Sequence, residues 1–150
     1  MPRFELRTLI RAPRERCFDL SRDIDLHVRS MAESGERAIA GCTSGLIGLD
    51  EEVTWEARHF GVLHRHRSRI TMYDRPRHFR DIQVEGRFAR FEHDHFFDEV
   101  EAGTEMREVL EFESPLGPLG KVVDWLVLGR YLERLIKERN EVIRAAAEVQ

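Results

Sequence analysis

Lysine is almost missing from this chain: of 24 basic residues only Lys121 and Lys137 are lysines, a bias that carries no functional reading. Cysteine is nearly absent too. Cys17 and Cys42 make neither a disulfide framework nor a cysteine metal motif, which fits a reducing interior. There is no basic excess; a net charge of −4 argues against a general nucleic-acid binder. No apolar run is long enough to span a bilayer, and Met1-Pro2-Arg3-Phe4-Glu5 lacks the apolar core of a signal segment. Repeats, low-complexity tracts and linkers are also lacking. The expectation is a cytoplasmic protein of one domain over residues 1–150, with no nucleic-acid partner and no integral membrane segment. Its oligomeric state is left open.

What the chain does have is a long amphipathic segment at its end. Leu128, Leu132, Leu135, Ile136, Ile143 and Ala146 recur at helical spacing, with Arg130, Glu133, Arg134, Lys137 and Glu141 on the other side. Pro118 suits the first turn of such a helix, and a start there makes it roughly 45 Å long. Gly129 predicts a bend or a close contact. The stripe needs a wall to pack on, and the preceding residues supply one.

Phe4, Leu6, Thr8 and Ile10 alternate with charged residues, as in a strand with one buried face. Pro13 to Met31 reads as two short helices, with Ser21 and Asp23 as caps for the second. Glu36 to Cys42 is a short strand. Glu51 to Tyr73 predicts a hairpin turning at Gly61-Val62, which sets Ala57 opposite His66 and Trp55 opposite Ser68. His78 to Val84 and Phe88 to Val100 predict a second hairpin around Glu85-Gly86-Arg87, with Asp81 opposite Phe91. Thr104 to Glu113 closes the series, alternating Met106, Glu108, Leu110 and Phe112 with charges. Short turns between consecutive strands predict an antiparallel meander round the final helix.

This layout resembles the START-like or polyketide cyclase/dehydrase (SRPBCC) superfamily over essentially the whole chain. The resemblance is carried by Val53-Thr54-Trp55-Glu56-Ala57, His59-Phe60-Gly61 and Phe79-Arg80-Asp81-Ile82-Gln83. It continues through Gly86-Arg87-Phe88, Phe91-Glu92-His93-Asp94-His95-Phe96-Phe97, Gly103-Thr104 and Ser114-Pro115-Leu116-Gly117. These stretches are similar to those of a bacterial cyclase/dehydrase-like subgroup. The resemblance implies an α+β helix-grip fold: a curved antiparallel sheet of six to seven strands round a long C-terminal helix, with two short helices after the first strand. It also implies a small lipophilic molecule, such as a lipid, quinone or polyketide-like compound, held between sheet and helix. The fold hosts many functions, so the ligand has to be argued from the site.

Trp55, Phe79, Phe91 and Phe97 share the inner face with Ala57, and Leu126, Tyr131 and Leu132 are their candidate partners on the helix. An aromatic stripe is ordinarily core, but the resemblance favours a cavity wall. His59, His66, Asp81, Gln83, His93 and His95 would then orient the ligand's polar end. In an enzyme, a cyclase or dehydratase, His93 or His95 would be the base, positioned by Asp81. An Asp–His pair also serves simply to satisfy two buried polar groups. Two His-x-His pairs on strands evoke a metal site, but no known metal spacing is matched in full, so the expectation is neither metal nor cofactor. The arginine row Arg65, Arg67 and Arg69 is read as cross-strand ion pairs with Glu52 and Glu56. A protein-interaction module with a vestigial cavity is the remaining class.

Overall fold

The computed structural model describes residues 3–115 and 124–149. Strand β1 (Arg3–Ile10) is followed by helices α1 (Arg14–Ser21) and α2 (Ile24–Ser30). Six more strands follow: β2 (Arg37–Gly41), β3 (Glu52–His59), β4 (Val62–Asp74), β5 (His78–Glu85), β6 (Arg90–Val100) and β7 (Gly103–Glu113). Helix α3 (Gly129–Glu148) ends the series. The strands form one antiparallel sheet in the order β1-β7-β6-β5-β4-β3-β2. This is the predicted meander, with β1 added at the far edge.

The local chemistry explains the breaks. Pro13 precedes α1, and the Asp23 side chain caps α2 by accepting from the N–H groups of Asp25 and Leu26. Ser21 does not cap; its hydroxyl donates to the Cys17 carbonyl at 2.8 Å. Both hairpin registers differ from the predicted ones by two residues. In the first, Ala57 pairs with His64 and Trp55 with His66, because the turn is Phe60-Gly61. Both residues have positive φ, 54° and 74°, the pairing that suits a two-residue hairpin turn to the strand twist. In the second, Asp81 pairs with His93 and Phe79 with His95, because the loop spans 86–89. A shift of two keeps every side chain on its predicted face.

Helix α3 packs on β1, α1 and α2 and buries Leu135, Ile136, Ile143 and Ala147. Its 20 residues give a length of about 30 Å. Gly129 is its first residue, directly after a π-helical turn at Asp124–Leu128. The predicted start at Pro118 lies outside the described residues. One end of the core is an aromatic cluster: Phe18 meets Phe79, Phe97 and Tyr73 edge-on at centroid separations of 5.3, 5.3 and 5.4 Å. On the outer face Arg65 reaches Glu56, while Arg67 and Arg69 reach Glu52, the predicted ion pairs.

Candidate functional site

Between the concave side of the sheet and helices α2 and α3 lies a cavity of about 400 Å³. Val53, Trp55, Ala57, Ile70, Phe79 and Phe91 form its sheet wall, and Leu128, Tyr131, Leu132, Leu135 and Ile136 face them from the helix side. The period-two alternation of the strands puts this apolar row inward, and the helical stripe meets it. Six of the seven histidines line this one cavity: His27, His59, His64, His66, His93 and His95.

Not every predicted site residue reaches it. Trp55, Ala57, His59, His66, Phe79, Asp81, Phe91, His93, His95 and Leu132 do. Phe97 does not; it is fully buried behind Phe79 in the aromatic cluster. Gln83 turns to the 86–89 loop, donating to the Phe88 carbonyl at 2.7 Å and accepting from the Phe88 N–H at 3.2 Å. Ladder pairing of β5 with β6 stops at Ile82 and Glu92, and the Gln83 amide takes over where it stops. Gly86 leaves room for it, since a Cβ there would stand 2.4 Å from Gln83 Oε1 and push that amide aside. Leu126 is 54% exposed and lies beside Arg3, Phe4 and Phe112, away from the cavity. It belongs to the π-helical turn, whose extra residue rotates what precedes it by about 100° relative to the α-helical stripe.

At one end of the cavity the polar groups are deeply buried. His95 Nε2 lies 2.8 Å from Asp81 Oδ2, and its other nitrogen, Nδ1, lies 3.2 Å from Glu108 Oε1. His93 Nε2 is 3.3 Å from that same oxygen. Both of these contacts to Glu108 are close but out of line for hydrogen bonds, so His93 Nε2 and His95 Nδ1 are buried without a hydrogen-bond partner. Glu108 is itself held by Arg139 Nη1 at 2.8 Å and Asn140 Nδ2 at 2.5 Å, and Arg139 also donates to the Ser21 carbonyl. The rings of Phe79, His95 and His93 form a stack, with centroid separations of 4.1 and 3.9 Å.

Burial and charge oppose each other along this chain of groups. Burial pushes the Asp81 carboxyl up, but the hydrogen bond to His95 and the neighbouring imidazoles bring it down to about 2. Burial likewise pushes Glu108 up, and its histidine and arginine partners hold it well below the usual carboxylate range. For His95 burial disfavours the charge, yet two facing carboxylates raise its pKa. His93 goes the other way, driven down by burial and by the charge on His95. Charge is thus favoured on His95, which sits in a row between the Asp81 and Glu108 carboxylates with Arg139 beyond, and disfavoured on His93 stacked beside it.

The rest of the cavity is less charged. His27 Nε2 meets Glu36 Oε1 at 2.5 Å, and the His27 ring lies 4.2 Å from that of Trp55. His59 Nδ1 meets the Tyr131 hydroxyl at 2.6 Å. Burial lowers the pKa of both His59 and His66, leaving neutral imidazoles that donate and accept at once. Among the described residues, Asp81, His93 and His95 are the group whose donor atoms converge, all within 4.8 Å of one another.

Glu108, Arg139, Asn140, Glu36 and His27 were not named as site residues from the sequence. A signal existed for three of them. Glu108 is the one charged residue in the inward row Thr104, Met106, Glu108, Leu110 and Phe112. Arg139 and Asn140 interrupt the buried stripe between Ile136 and Ile143.

No family model and no curated protein matches the chain. Solved structures do. A protein from Thermus thermophilus is 24% identical with a TM-score of 0.75, over 98% of this chain and 100% of that one. A START superfamily protein from Mycobacterium smegmatis is 15% identical with a TM-score of 0.71, over 97% of each chain. The di-domain ARO/CYC StfQ of the steffimycin biosynthetic pathway is 13% identical with a TM-score of 0.77, matching 97% of this chain and 50% of its own length. With a seven-stranded sheet, two short helices after β1 and a long C-terminal helix, the chain has the START-like (SRPBCC) helix-grip fold.

Proposed function

We propose that this protein binds a small hydrophobic or amphipathic molecule, of lipid, quinone or polyketide-like kind, between its sheet and C-terminal helix. The observation that carries the reading is the cavity itself. At about 400 Å³ it falls within the range of small-molecule pockets, with an apolar wall from both layers and a few converging polar groups. The apolar body would lie along Trp55, Ala57, Phe91 and Leu132, and the polar end would meet His66, Asp81, His93 and His95. Ala57 is the place to test this, because its side chain is small and faces the cavity. Ala57→Phe is expected to abolish saturable binding of a fluorescent lipophilic probe while leaving the melting temperature nearly unchanged. In a filled core the same change overpacks and costs about 1–3 kcal/mol. A large fall in melting temperature, with no probe binding by the parent, would sink the reading.

A second reading, a cyclase or dehydratase, is favoured by one observation: two histidine rings stacked at 3.9 Å in different settings, His95 between the Asp81 and Glu108 carboxylates and His93 beside it. Environments that differ in this way separate acid from base roles. His93, whose pKa burial lowers, would be the base, and His95, whose pKa the carboxylates raise, the acid. Turnover of a ring-closing or dehydrating substrate, lost in His93→Gln, checks it; an inactive parent removes it.

A further inference from the structure

We propose that Asp81, His93 and His95 form a binding site for a divalent transition-metal ion, with an open coordination position facing the cavity. His-x-His on β6 puts two imidazoles on one face, and the β5–β6 register sets Asp81 directly opposite His93. One donor atom from each of the three lies within 4.8 Å of the others. Donors on a tetrahedral ion, each about 2.1 Å from it, stand about 3.4 Å apart. The His95 Nε2 to Asp81 Oδ2 separation of 2.8 Å is already near that value. An ion entering there takes the place of the shared proton, and the remaining ligand has to close by little more than an ångström.

The surroundings of the two imidazoles strengthen the case. A metal-bound histidine usually directs its other ring N–H at a carboxylate, which fixes its tautomer and raises its basicity. Here one nitrogen of each ring lies near the same oxygen, Glu108 Oε1, at 3.3 and 3.2 Å, close enough to align with it on a small rotation. His93 and His95 are 5% and 2% exposed, and the nitrogens facing Glu108 have no aligned partner. If Glu108 takes those two N–H groups, each ring presents its second nitrogen for ligation. Arg139 and Asn140 clamp Glu108 from behind, so this backing does not depend on the ion.

Charge balance then says what completes the site. Asp81, Glu108 and Arg139 sum to one negative charge when both histidines are neutral. A divalent ion turns that into one positive charge at the cavity end, which an anionic oxygen ligand neutralises: hydroxide, an enolate or a phenolate. Two imidazoles and one carboxylate are the donor set of zinc or ferrous iron rather than of magnesium or calcium.

The inference stands apart from the proposed ligand, because its test uses the metal alone. The full chain, stripped with a chelator, is titrated with Co²⁺. The expected result is saturation at one ion per chain, with visible d–d bands of a low-symmetry site, displaced by Zn²⁺. His93→Gln and His95→Gln should each abolish the bands, and Glu108→Gln should weaken binding by about ten- to a hundredfold. His78→Gln, which removes the histidine paired with Asp94 on the outer face, should leave the titration unchanged. Should a cavity variant fail to fold, proton NMR of the Co²⁺-loaded parent still decides, with two hyperfine-shifted histidine N–H signals expected. Absence of saturable Co²⁺ binding, binding that survives both histidine changes, or loss of binding in His78→Gln overturns the proposal.

Discussion

The two faces of strands β5 and β6 carry nearly the same chemistry with opposite fates. Inside, His95 meets Asp81 and Glu108, and Glu108 meets Arg139. Outside, one residue along each strand, His78 meets Asp94 at 2.7 Å, and Arg80 grips that carboxylate with two donors at 2.9 and 3.1 Å. Even the stacking repeats, Phe79 against His95 within and Phe96 against His78 without. Side-chain exposure separates them: 2% for Glu108 and His95, against 35% for Arg80 and 14% for Asp94. Water can relax around the outer cluster when a member is lost. Around Glu108 and His95, the buried centre of the inner one, little but the protein is there to compensate, although Asp81 at its cavity edge is 19% exposed.

The largest contrast should come from deleting the central carboxylate of each cluster. Glu108→Ala leaves Arg139 buried with only the Ser21 carbonyl, and is expected to cost about 3–5 kcal/mol in urea unfolding. Asp94→Ala is expected to cost about 1 kcal/mol or less. Comparable losses from the two changes would erase the distinction. Replacing Glu108 and Arg139 together by leucine and methionine should restore much of the inner loss, since burying a pair is rarely better than burying apolar groups.

A smaller effect concerns pH. The Asp81 carboxyl is held at about 2 in the folded protein, below an unfolded value of about 3.9. Its contribution is therefore fully present above about pH 4 and is lost as the pH falls towards 2. The stability of Asp81→Asn, measured from pH 5 down to 2, should fall less steeply than that of the parent; parallel curves would refute the assignment. Smallest of all is the response to salt. Raising ionic strength should weaken the Asp94 cluster's contribution and leave that of Glu108 nearly unchanged, because only partly exposed charges are well screened.

How far the sequence led depended on the range of the interaction. Strand faces were legible because alternation is local: Trp55, Ala57 and His59 lie on the side that period two assigns them. Register was not, since it hangs on where a turn falls, and Phe60 adopts a positive φ that few aromatic residues take. The helix stripe was legible from Leu128 onward, but Leu126 was lost to a π-helical turn whose extra residue no composition signal marks. Glu108 could be placed on the inner row but not interpreted. Its meaning comes from Arg139, 31 residues away on another element, and only the fold brings the two together.

One topological feature bears on the order in which the molecule can be completed. Strand β1, which precedes the other described elements, pairs with β7, Arg3 lying opposite Glu111. Its far end is also tied to the end of α3, the Arg11 N–H donating to the Glu148 carboxylate. Contacts between such distant residues are the slowest to form, because a loop of nearly the whole chain must close first. A nascent chain leaving the ribosome therefore carries β1 unpartnered until β7 emerges. The cavity, which needs α3 as a wall, cannot be closed until that helix has followed the strands out.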